Sequence, residues 1–194
     1  MNYEWFQAIN DLAGQSPLMD AILIFITKKA LYMYALMLLL MWFLGSERSK
    51  RTVVFAAITG ALGLLINFII GQIYFEPRPF VAHTVKLLVD HAADASFPSD
   101  HTTGAFSLSL AVLLLNRRIG SVMLALAVLT GFSRIYVGNH YPFDVLGSIV
   151  VSLVVSLAVY KLSPVFEPIA RLIILIYNRI PFVPKNRKGV SAGQ

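Results

Sequence analysis

Long apolar stretches alternate with short charged segments along this 194-residue chain. A helix of about 20 apolar residues is needed to cross the hydrocarbon core of a bilayer. The pattern therefore predicts an all-α fold, specifically a polytopic membrane helix bundle. It places transmembrane helices at Leu18–Leu44, Thr52–Tyr74, Thr102–Leu115, Ile119–Tyr136 and Pro142–Tyr160.

The segments outside these spans are less apolar. Residues 1–16 are predicted to form an interfacial N-terminal helix, because residues 3–13 are amphipathic. Prolines and charges in residues 164–182 favour another interfacial helix, although a sixth span stays open. Residues 183–194 form a basic C-terminal tail, and the whole chain, 1–194, is predicted to be one membrane-embedded domain.

Basic residues predict the orientation of the bundle. With five spans, three basic groups share one side, and cytoplasmic segments are enriched in lysine and arginine. The polar stretch 75–101 and the break at 137–141 then share the outer face, where an extracytoplasmic active site is expected at helix ends. Lys28 and Lys29 oppose this orientation. The three basic groups are Arg48/Lys50/Arg51, Arg117/Arg118 and Lys185/Arg187/Lys188.

Composition supports the membrane assignment and narrows the chemistry. Hydrophobic residues make up 57% of the chain and charged ones 13%, and the mean hydropathy is +0.72. The net charge of +6 is attributed to cytoplasmic segments and anionic lipid rather than to a nucleic acid partner. Because the chain has no cysteine, disulfides, thiolate metal sites and cysteine nucleophiles are excluded.

Two polar clusters lie in the stretch 75–101. In the first, Arg78 stands between two prolines, and its guanidinium either clamps a phosphate or only caps the preceding helix. In the second, Ser99, Asp100 and His101 begin the third span. A helix N-terminus favours a bound phosphate, and His101 can transfer a proton near neutral pH. The alternative for this cluster is a plain N-cap with an interfacial histidine.

The third polar cluster lies in the break before the last predicted span. Asp144 follows His140 by four residues, so on a helix its carboxylate can accept the Nδ1 proton of His140. The Nε2 lone pair is then free to attack phosphorus. Arg134 would stabilise the transferred phosphoryl group. The alternative is a structural pair of Arg134 and Asp144, with His140 at the level of the lipid headgroups.

The remaining polar residues are expected to take no part in chemistry. The loop residues His83, Asp90, His91 and Asp94 are of types that can bind a divalent metal. Their spacing matches no metal-binding pattern, so they are predicted to be solvated. Asn67, within the second span, is predicted to bond a neighbouring helix.

In order along the chain, the three clusters resemble the signature of the type 2 phosphatidic acid phosphatase superfamily, which includes membrane lipid phosphatases and soluble vanadium haloperoxidases. Two short stretches, Glu-Pro-Arg-Pro-Phe and Phe-Pro-Ser-Asp-His-Thr, are similar to the bacitracin-resistance type of undecaprenyl pyrophosphate phosphatase of Gram-positive bacteria. The superfamily signature corresponds to Arg78-Pro79, Pro98-Ser99-Asp100-His101 and Ser133-Arg134-x5-His140-x3-Asp144.

The resemblance implies an activity and a role for each residue. The activity is hydrolysis of undecaprenyl pyrophosphate, without metal or cofactor, at the outer face of the bacterial cell membrane. It recycles the cell-wall lipid carrier and confers bacitracin resistance. His140 would be the nucleophile that forms a phosphohistidine, Asp144 would orient it, and His101 would be first the acid and then the base. The phosphate-binding positions would be Arg78, Ser99, Asp100 and Arg134.

Two rival functions stay open. Other members of the same superfamily act on phosphatidic acid or phosphatidylglycerol phosphate. A different class, a small membrane anion transporter, would use the arginines to bind phosphate in transit. Transporters often have internal repeats and broken helices at the membrane midplane, whereas this sequence has no repeat and its polar residues cluster at helix ends on one side.

Two positions depart from the family pattern. The family usually has a lysine seven residues before the arginine, where this chain has Gly71, so Lys86 or Lys28 is suggested as a substitute. The family's Pro-Ser-Gly-His also has Asp100 in place of glycine. A carboxylate there would favour protonated His101. Although Asp100 occupies one of the phosphate-binding positions of the family pattern, we expect its carboxylate to tune His101 without contacting the phosphate.

Asp100→Gly tests this expected role. Without the carboxylate, the general acid should lose its proton at lower pH, so the alkaline limb of the pH–rate profile should move to lower pH. Rates of phosphate release measured across the neutral range check the shift, and an unchanged profile would remove the hypothesis.

Overall fold

The computed structural model describes residues 1–181, so the predicted basic tail at 183–194 lies outside the described residues. This part of the chain is all helical and contains no strand. Its helices, in order, are α1 (Asn2–Asn10), α2 (Pro17–Leu44), α3 (Glu47–Ile73), α4 (Pro79–Ala82), α5 (Asp100–Leu115), α6 (Arg117–Tyr136), α7 (Pro142–Lys161) and α8 (Ser163–Arg179).

The predicted spans correspond to α2, α3, α5, α6 and α7, and one boundary differs by more than two residues. α3 begins at Glu47 rather than Thr52. Ser46 caps its N-terminus, because Ser46 Oγ accepts a hydrogen bond from the N–H of Ser49 at 3.4 Å. The charged segment between the first two predicted spans, 45–51, is therefore mostly helical.

Among the described residues, four helices are long and apolar enough to cross a membrane, namely α2, α3, α6 and α7. α5 is apolar but has only 16 residues. α8 has 17 residues, contacts α3 and α7, and buries Ala170, Ile174 and Tyr177. The fold is that of a multi-pass membrane protein, and the count of five or six spans stays a prediction.

α5 lies at the centre of the bundle, in contact with α2, α3, α6 and α7. Polar side chains bond it to its neighbours. Ser148 Oγ on α7 donates to the carbonyl of Ser99 at 3.0 Å, and Asn67 Nδ2 on α3 donates to Asp100 Oδ1 and Thr103 Oγ1 at 2.9 Å each. Such bonds hold membrane helices together where the hydrophobic effect does not. They confirm that Asn67 bonds a neighbouring helix.

The bundle has two polar ends. At one end, the connection between α2 and α3 meets the end of α5, and Arg48 Nη2 donates to the carbonyl of Leu115 at 3.4 Å. The other end carries α1, the long segment 74–99 and the turn 137–141. All three sequence clusters therefore lie at this second end.

Asn10 on α1 ties the long segment to the bundle. Its amide Nδ2 donates to the carbonyls of Lys86 and Tyr136 at 2.9 Å each, and its Oδ1 accepts from the N–H of Lys86 at 2.9 Å. Asn10 is buried, so these bonds are shielded from water. The predicted interfacial helix thus also packs against the segment, which its amphipathic pattern did not indicate.

Asn10→Ala should loosen the segment 83–99, because the backbone groups of Lys86 and Tyr136 lose their partner. A buried group left without its partner costs about 1–3 kcal/mol, so we expect faster limited proteolysis of this segment and a lower Tm in detergent. Gln7→Ala removes an exposed amide from the same helix and should change neither. Equal protease resistance in the two variants would contradict this role of Asn10.

Candidate active site

His140 lies in the turn between α6 and α7, and its contacts define its tautomer. Nδ1 is 2.9 Å from the carbonyl of Ser96 and 3.3 Å from Asp144 Oδ2. On the opposite side, Arg78 Nη1 lies 2.9 Å from Nε2. Because arginine can only donate, Nε2 must accept, and the proton of the neutral ring is on Nδ1. The Nε2 lone pair therefore faces Arg78.

The start of α7 positions the carboxylate that orients His140. Pro142 occupies the first turn, where a missing N–H has no cost, and Asp144 Oδ2 accepts from the N–H of Tyr141 at 2.8 Å. The hydroxyl of Ser96 donates to the same oxygen. The contact predicted between Asp144 and His140 is present, but the Ser96 carbonyl is the nearer acceptor for Nδ1.

The end of α6 shapes the turn that carries His140. The N–H groups of Asn139 and His140 both donate to the carbonyl of Arg134, at 3.1 and 3.2 Å. Gly138 has a φ of +89°, and a Cβ there would lie 2.8 Å from the carbonyl oxygen of Lys86. Both the backbone conformation and this close approach require glycine.

Arg134 is buried with part of its guanidinium unpaired. It is 1% exposed, and its Nε and Nη2 have no hydrogen-bond partner in residues 1–181. Buried polar groups are nearly always bonded, and an uncompensated buried charge is costly. Within residues 1–181, Arg134 and Asp144 do not form the ion pair that was the alternative for this cluster. The two free donors are therefore suited to an anion.

Arg78 is buried inside the cluster. It is 4% exposed and precedes Pro79, which begins α4. Its Nε donates to Asp94 Oδ1 at 2.8 Å, and its Nη1 donates to the carbonyl of Asn139 at 3.1 Å as well as to His140 Nε2. Arg78 therefore contacts both the predicted nucleophile and a carboxylate.

The N-terminus of α5 supplies the second predicted cluster. Ser99 caps it, as predicted, because Ser99 Oγ accepts from the N–H of Thr102 at 3.4 Å. His101 lies half-buried in the first turn. The carboxylate of Asp100 is bonded to Asn67 on α3 and forms no ion pair with the arginines among the described residues. Its tuning of His101 stays a prediction.

The environment of His140 favours its neutral form. Burial lowers the pKa of His140 well below its usual range, and the positive charges of Arg134 and Arg78 lower it further. His91 and His101 act on this pKa in the same direction. Neutral histidine is the form with a lone pair on Nε2, so the surroundings of the ring maintain a nucleophile.

The prediction that His91 and Asp94 are solvated loop residues was wrong in part, because both are at least partly exposed but also contact residues of the site. Asp94 is exposed but accepts from Arg78, and the ring of His91 lies edge-on to His140 with the centroids 6.2 Å apart. His83 and Asp90 are exposed as expected. No group of side chains suited to a metal ion is found within residues 1–181.

Sequence reasoning also missed Ser96, which bonds both Asp144 and His140. No spacing or motif marks it, and the only signal in the sequence was the length of the polar stretch itself, because long loops in compact domains are usually functional.

The lysines suggested as substitutes at the family position lie elsewhere. Lys86 Nζ donates to the carbonyl of Asp11 at 2.7 Å, and Lys28 is exposed on α2. A Cβ added at Gly71 would lie 3.8 Å from the Cβ of Ala95. A side chain at position 71 would therefore start beside the segment that carries Asp94.

The sequence model of the PAP2 superfamily matches residues 52–167. This chain belongs to the PAP2 superfamily, which confirms the resemblance. It is 51% identical to undecaprenyl-diphosphatase BcrC of Bacillus subtilis over 93% of each chain. It is 29% identical to the bacitracin transport permease protein BcrC of Bacillus licheniformis, over 97% of this chain and 94% of that one. The crystal structure of Aquifex aeolicus LpxE, 24% identical, has the same fold, with a TM-score of 0.68 over 82% of this chain and 94% of that one.

Asp94→Asn should tighten the binding of a phosphate-like anion, because the Asp94 carboxylate occupies Arg78 in the free protein. Asp94 is 63% exposed, and exposed ion pairs contribute about 0.2–1 kcal/mol. We therefore expect the Kd of orthovanadate, measured by calorimetry in detergent, to fall by up to about five-fold. Asp90→Asn removes the same charge from an exposed position in the same segment and should leave the Kd unchanged. Weaker or equal binding by Asp94→Asn would count against the competition.

Proposed function

We propose that this chain is an undecaprenyl-diphosphate phosphatase of the bacterial cell membrane. It hydrolyses undecaprenyl pyrophosphate to undecaprenyl phosphate and phosphate through a phosphohistidine intermediate. The observation that carries the proposal is the neutral His140 ring, with its proton directed to Ser96 and Asp144 and its Nε2 lone pair directed to Arg78. The 51% identity to a protein named undecaprenyl-diphosphatase supports this choice of substrate.

Phosphate binding competes with existing contacts of Arg78. In the free protein this guanidinium donates to His140 Nε2 and to Asp94, so an entering phosphate competes with both partners. Displacement of His140 frees the Nε2 lone pair at the moment when phosphorus arrives. Arg134 needs no displacement, because its Nε and Nη2 are unpaired. The bound anion therefore completes the hydrogen bonding of both arginines.

In the first step, Nε2 of His140 attacks the terminal phosphorus, and the bond from this phosphorus to the bridging oxygen breaks. The bridging oxygen takes the electron pair and a proton from His101, and undecaprenyl phosphate leaves. Asp144 and the Ser96 carbonyl hold the Nδ1 proton and stabilise the positive phosphorylated ring. The two arginines stabilise the charge on the transferred oxygens.

In the second step, neutral His101 takes a proton from water, and the water oxygen attacks phosphorus. The bond between phosphorus and Nε2 of His140 breaks, and phosphate is released. The cycle consumes one water and restores both histidines. No step is assigned to a metal, because the arginines and the N-terminus of α5 supply the positive field.

We also infer that the site faces the outside of the cell. Arg48 lies at the end of the bundle opposite the site, and Arg51 pairs there with Glu167 on α8. Basic residues are enriched on the cytoplasmic side of membrane proteins, which favours that end as cytoplasmic if α5 is counted as one of five spans. An outward-facing site suits a phosphatase that recycles the cell-wall lipid carrier and thereby confers bacitracin resistance.

Two alternatives differ in testable ways. A phosphatase for phosphatidic acid or phosphatidylglycerol phosphate would use the same residues on a terminal phosphate monoester. A small anion transporter is consistent with the name of the Bacillus licheniformis relative. However, the oriented pair of His140 and Asp144, with the Nε2 lone pair directed at a guanidinium, is the arrangement expected of a nucleophile in covalent chemistry, which an anion transporter does not require.

The test is phosphate release from undecaprenyl pyrophosphate by the purified full-length protein in detergent with EDTA. The wild type should be active, and His140→Ala should lose on the order of 10⁴-fold in kcat, because nothing replaces the nucleophile. His83→Ala removes an exposed histidine from the same end of the bundle and should keep the wild-type rate. Phosphatidic acid and phosphatidylglycerol phosphate should give lower kcat/KM values.

Each alternative outcome has a distinct meaning. Activity that requires added metal, or that survives the loss of His140, would overturn the mechanism. A higher kcat/KM for phosphatidic acid or phosphatidylglycerol phosphate would replace the substrate and keep the chemistry. Phosphate uptake into proteoliposomes without any hydrolysis would establish the transporter instead.

A further inference from the structure

His91 is the third histidine of the cluster, and the proposed chemistry gives it no role. It lies in the segment between α4 and α5, and its side chain is 22% exposed. Its ring centroid is 6.2 Å from that of His140 and 6.3 Å from that of His101, with interplanar angles of 71° and 69°. His91 therefore lies edge-on to both the proposed nucleophile and the proposed general acid.

The contacts of His91 leave one ring nitrogen available. Nδ1 lies 3.2 Å from the carbonyl of Ala92 and 3.6 Å from Asp94 Oδ1, and these two acceptors favour a proton on Nδ1. Nε2 makes no hydrogen bond to the residues that the structure describes. Asp94 Oδ1 also accepts from Arg78, so the same carboxylate oxygen lies close to both His91 and Arg78.

A diphosphate presents two charged groups to the site. In the proposed mechanism, Arg78 and Arg134 bind the transferred phosphate. The lipid-linked phosphate is the leaving group, and it stays negatively charged after His101 has protonated the bridging oxygen. Because His101 protonates the bridging oxygen, the leaving phosphate lies on the side of the site where His101 stands. His91 lies close to His101 as well as to His140, so it borders that side.

We infer that His91 binds the lipid-linked phosphate and thereby favours lipid diphosphates over lipids that carry a terminal phosphate monoester. The inference rests on the proposed function and adds the group that recognises the leaving phosphate. In the free protein, burial and the charges of Arg78 and Arg134 lower the pKa of His91, and the charge of Asp94 opposes them. The negative charge of a bound diphosphate adds to that of Asp94 and favours the doubly protonated ring, whose Nε2 then donates a charge-assisted hydrogen bond to a phosphate oxygen. A phosphate monoester releases an alcohol, which gives His91 no anion to bind.

Product inhibition separates the two phosphate positions. Undecaprenyl phosphate contains the leaving phosphate, whereas orthovanadate mimics the transferred group. His91→Ala should raise the inhibition constant of undecaprenyl phosphate about ten-fold and lower kcat/KM for undecaprenyl pyrophosphate by a similar factor. The inhibition constant of vanadate should change by less than about two-fold. His91→Gln keeps a donor and should recover part of the loss, and His83→Ala should change nothing.

The outcomes distinguish this inference from the proposed function. An equal rise of both inhibition constants in His91→Ala and His91→Gln would show that His91 supports the segment as a whole, and no rise in either would show that it is not a ligand. Both results overturn the inference while wild-type hydrolysis of undecaprenyl pyrophosphate still upholds the proposed function. A wild-type protein that releases no phosphate from this lipid would overturn the proposed function and the inference with it.

Discussion

The burial of two arginine side chains beside a neutral histidine is the constraint on which this site depends. Arg134 and Arg78 are 1% and 4% exposed, and moving a charge out of water costs several kcal/mol unless it is paired. Arg78 is paired with Asp94 and His140, but two nitrogens of Arg134 are not paired within the described chain. A site in this state gains more from an incoming phosphate than one whose donors are satisfied.

Two like charges stay together only because the surrounding structure resists their separation. Interhelical hydrogen bonds fix α5 between α3 and α7. In the segment 74–99, the N–H of Ser96 donates to the carbonyl of Glu76 at 2.8 Å and so joins the two ends, and Asn10 bonds Lys86 near the middle. These bonds join residues far apart in sequence, so the site forms only after the bundle has assembled. Weakening α1 should therefore affect chemistry at a distance.

The sequence predicted the residues that carry charge, because arginine, histidine and aspartate stand out in an apolar chain. His140, Asp144 and Arg134 share one short stretch, so their positions in the sequence were enough to group them. The start of α3 was missed because its charged residues resembled a loop. His91 and Ser96 were not predictable. Their contacts depend on how the segment 74–99 folds back over the helix ends, and no local periodicity in the sequence predicts this conformation.

In the proposed mechanism, the contact between Arg78 and His140 occupies the Nε2 lone pair until phosphate binds. The Nη1 proton that Arg78 directs at Nε2 can be donated to a phosphate oxygen instead, so phosphate binding and release of the nucleophile are then one event. Asp94 sets how readily the guanidinium leaves its resting partners, because it holds the other edge of the same group. Asp94 thus adjusts phosphate binding without contacting Nε2 of His140, the nitrogen that is phosphorylated in the proposed mechanism.

This separation gives a physical reason for differences in substrate within one superfamily. The groups that break the bond to phosphorus can stay the same, while the segment over them changes which leaving group is recognised. In this chain the segment supplies His91 and Asp94 beside a position, Gly71, that itself offers no side chain. We therefore expect that changes in the segment 74–99 alter the selectivity for the lipid-linked phosphate, and that changes at the helix ends alter the chemistry at His140.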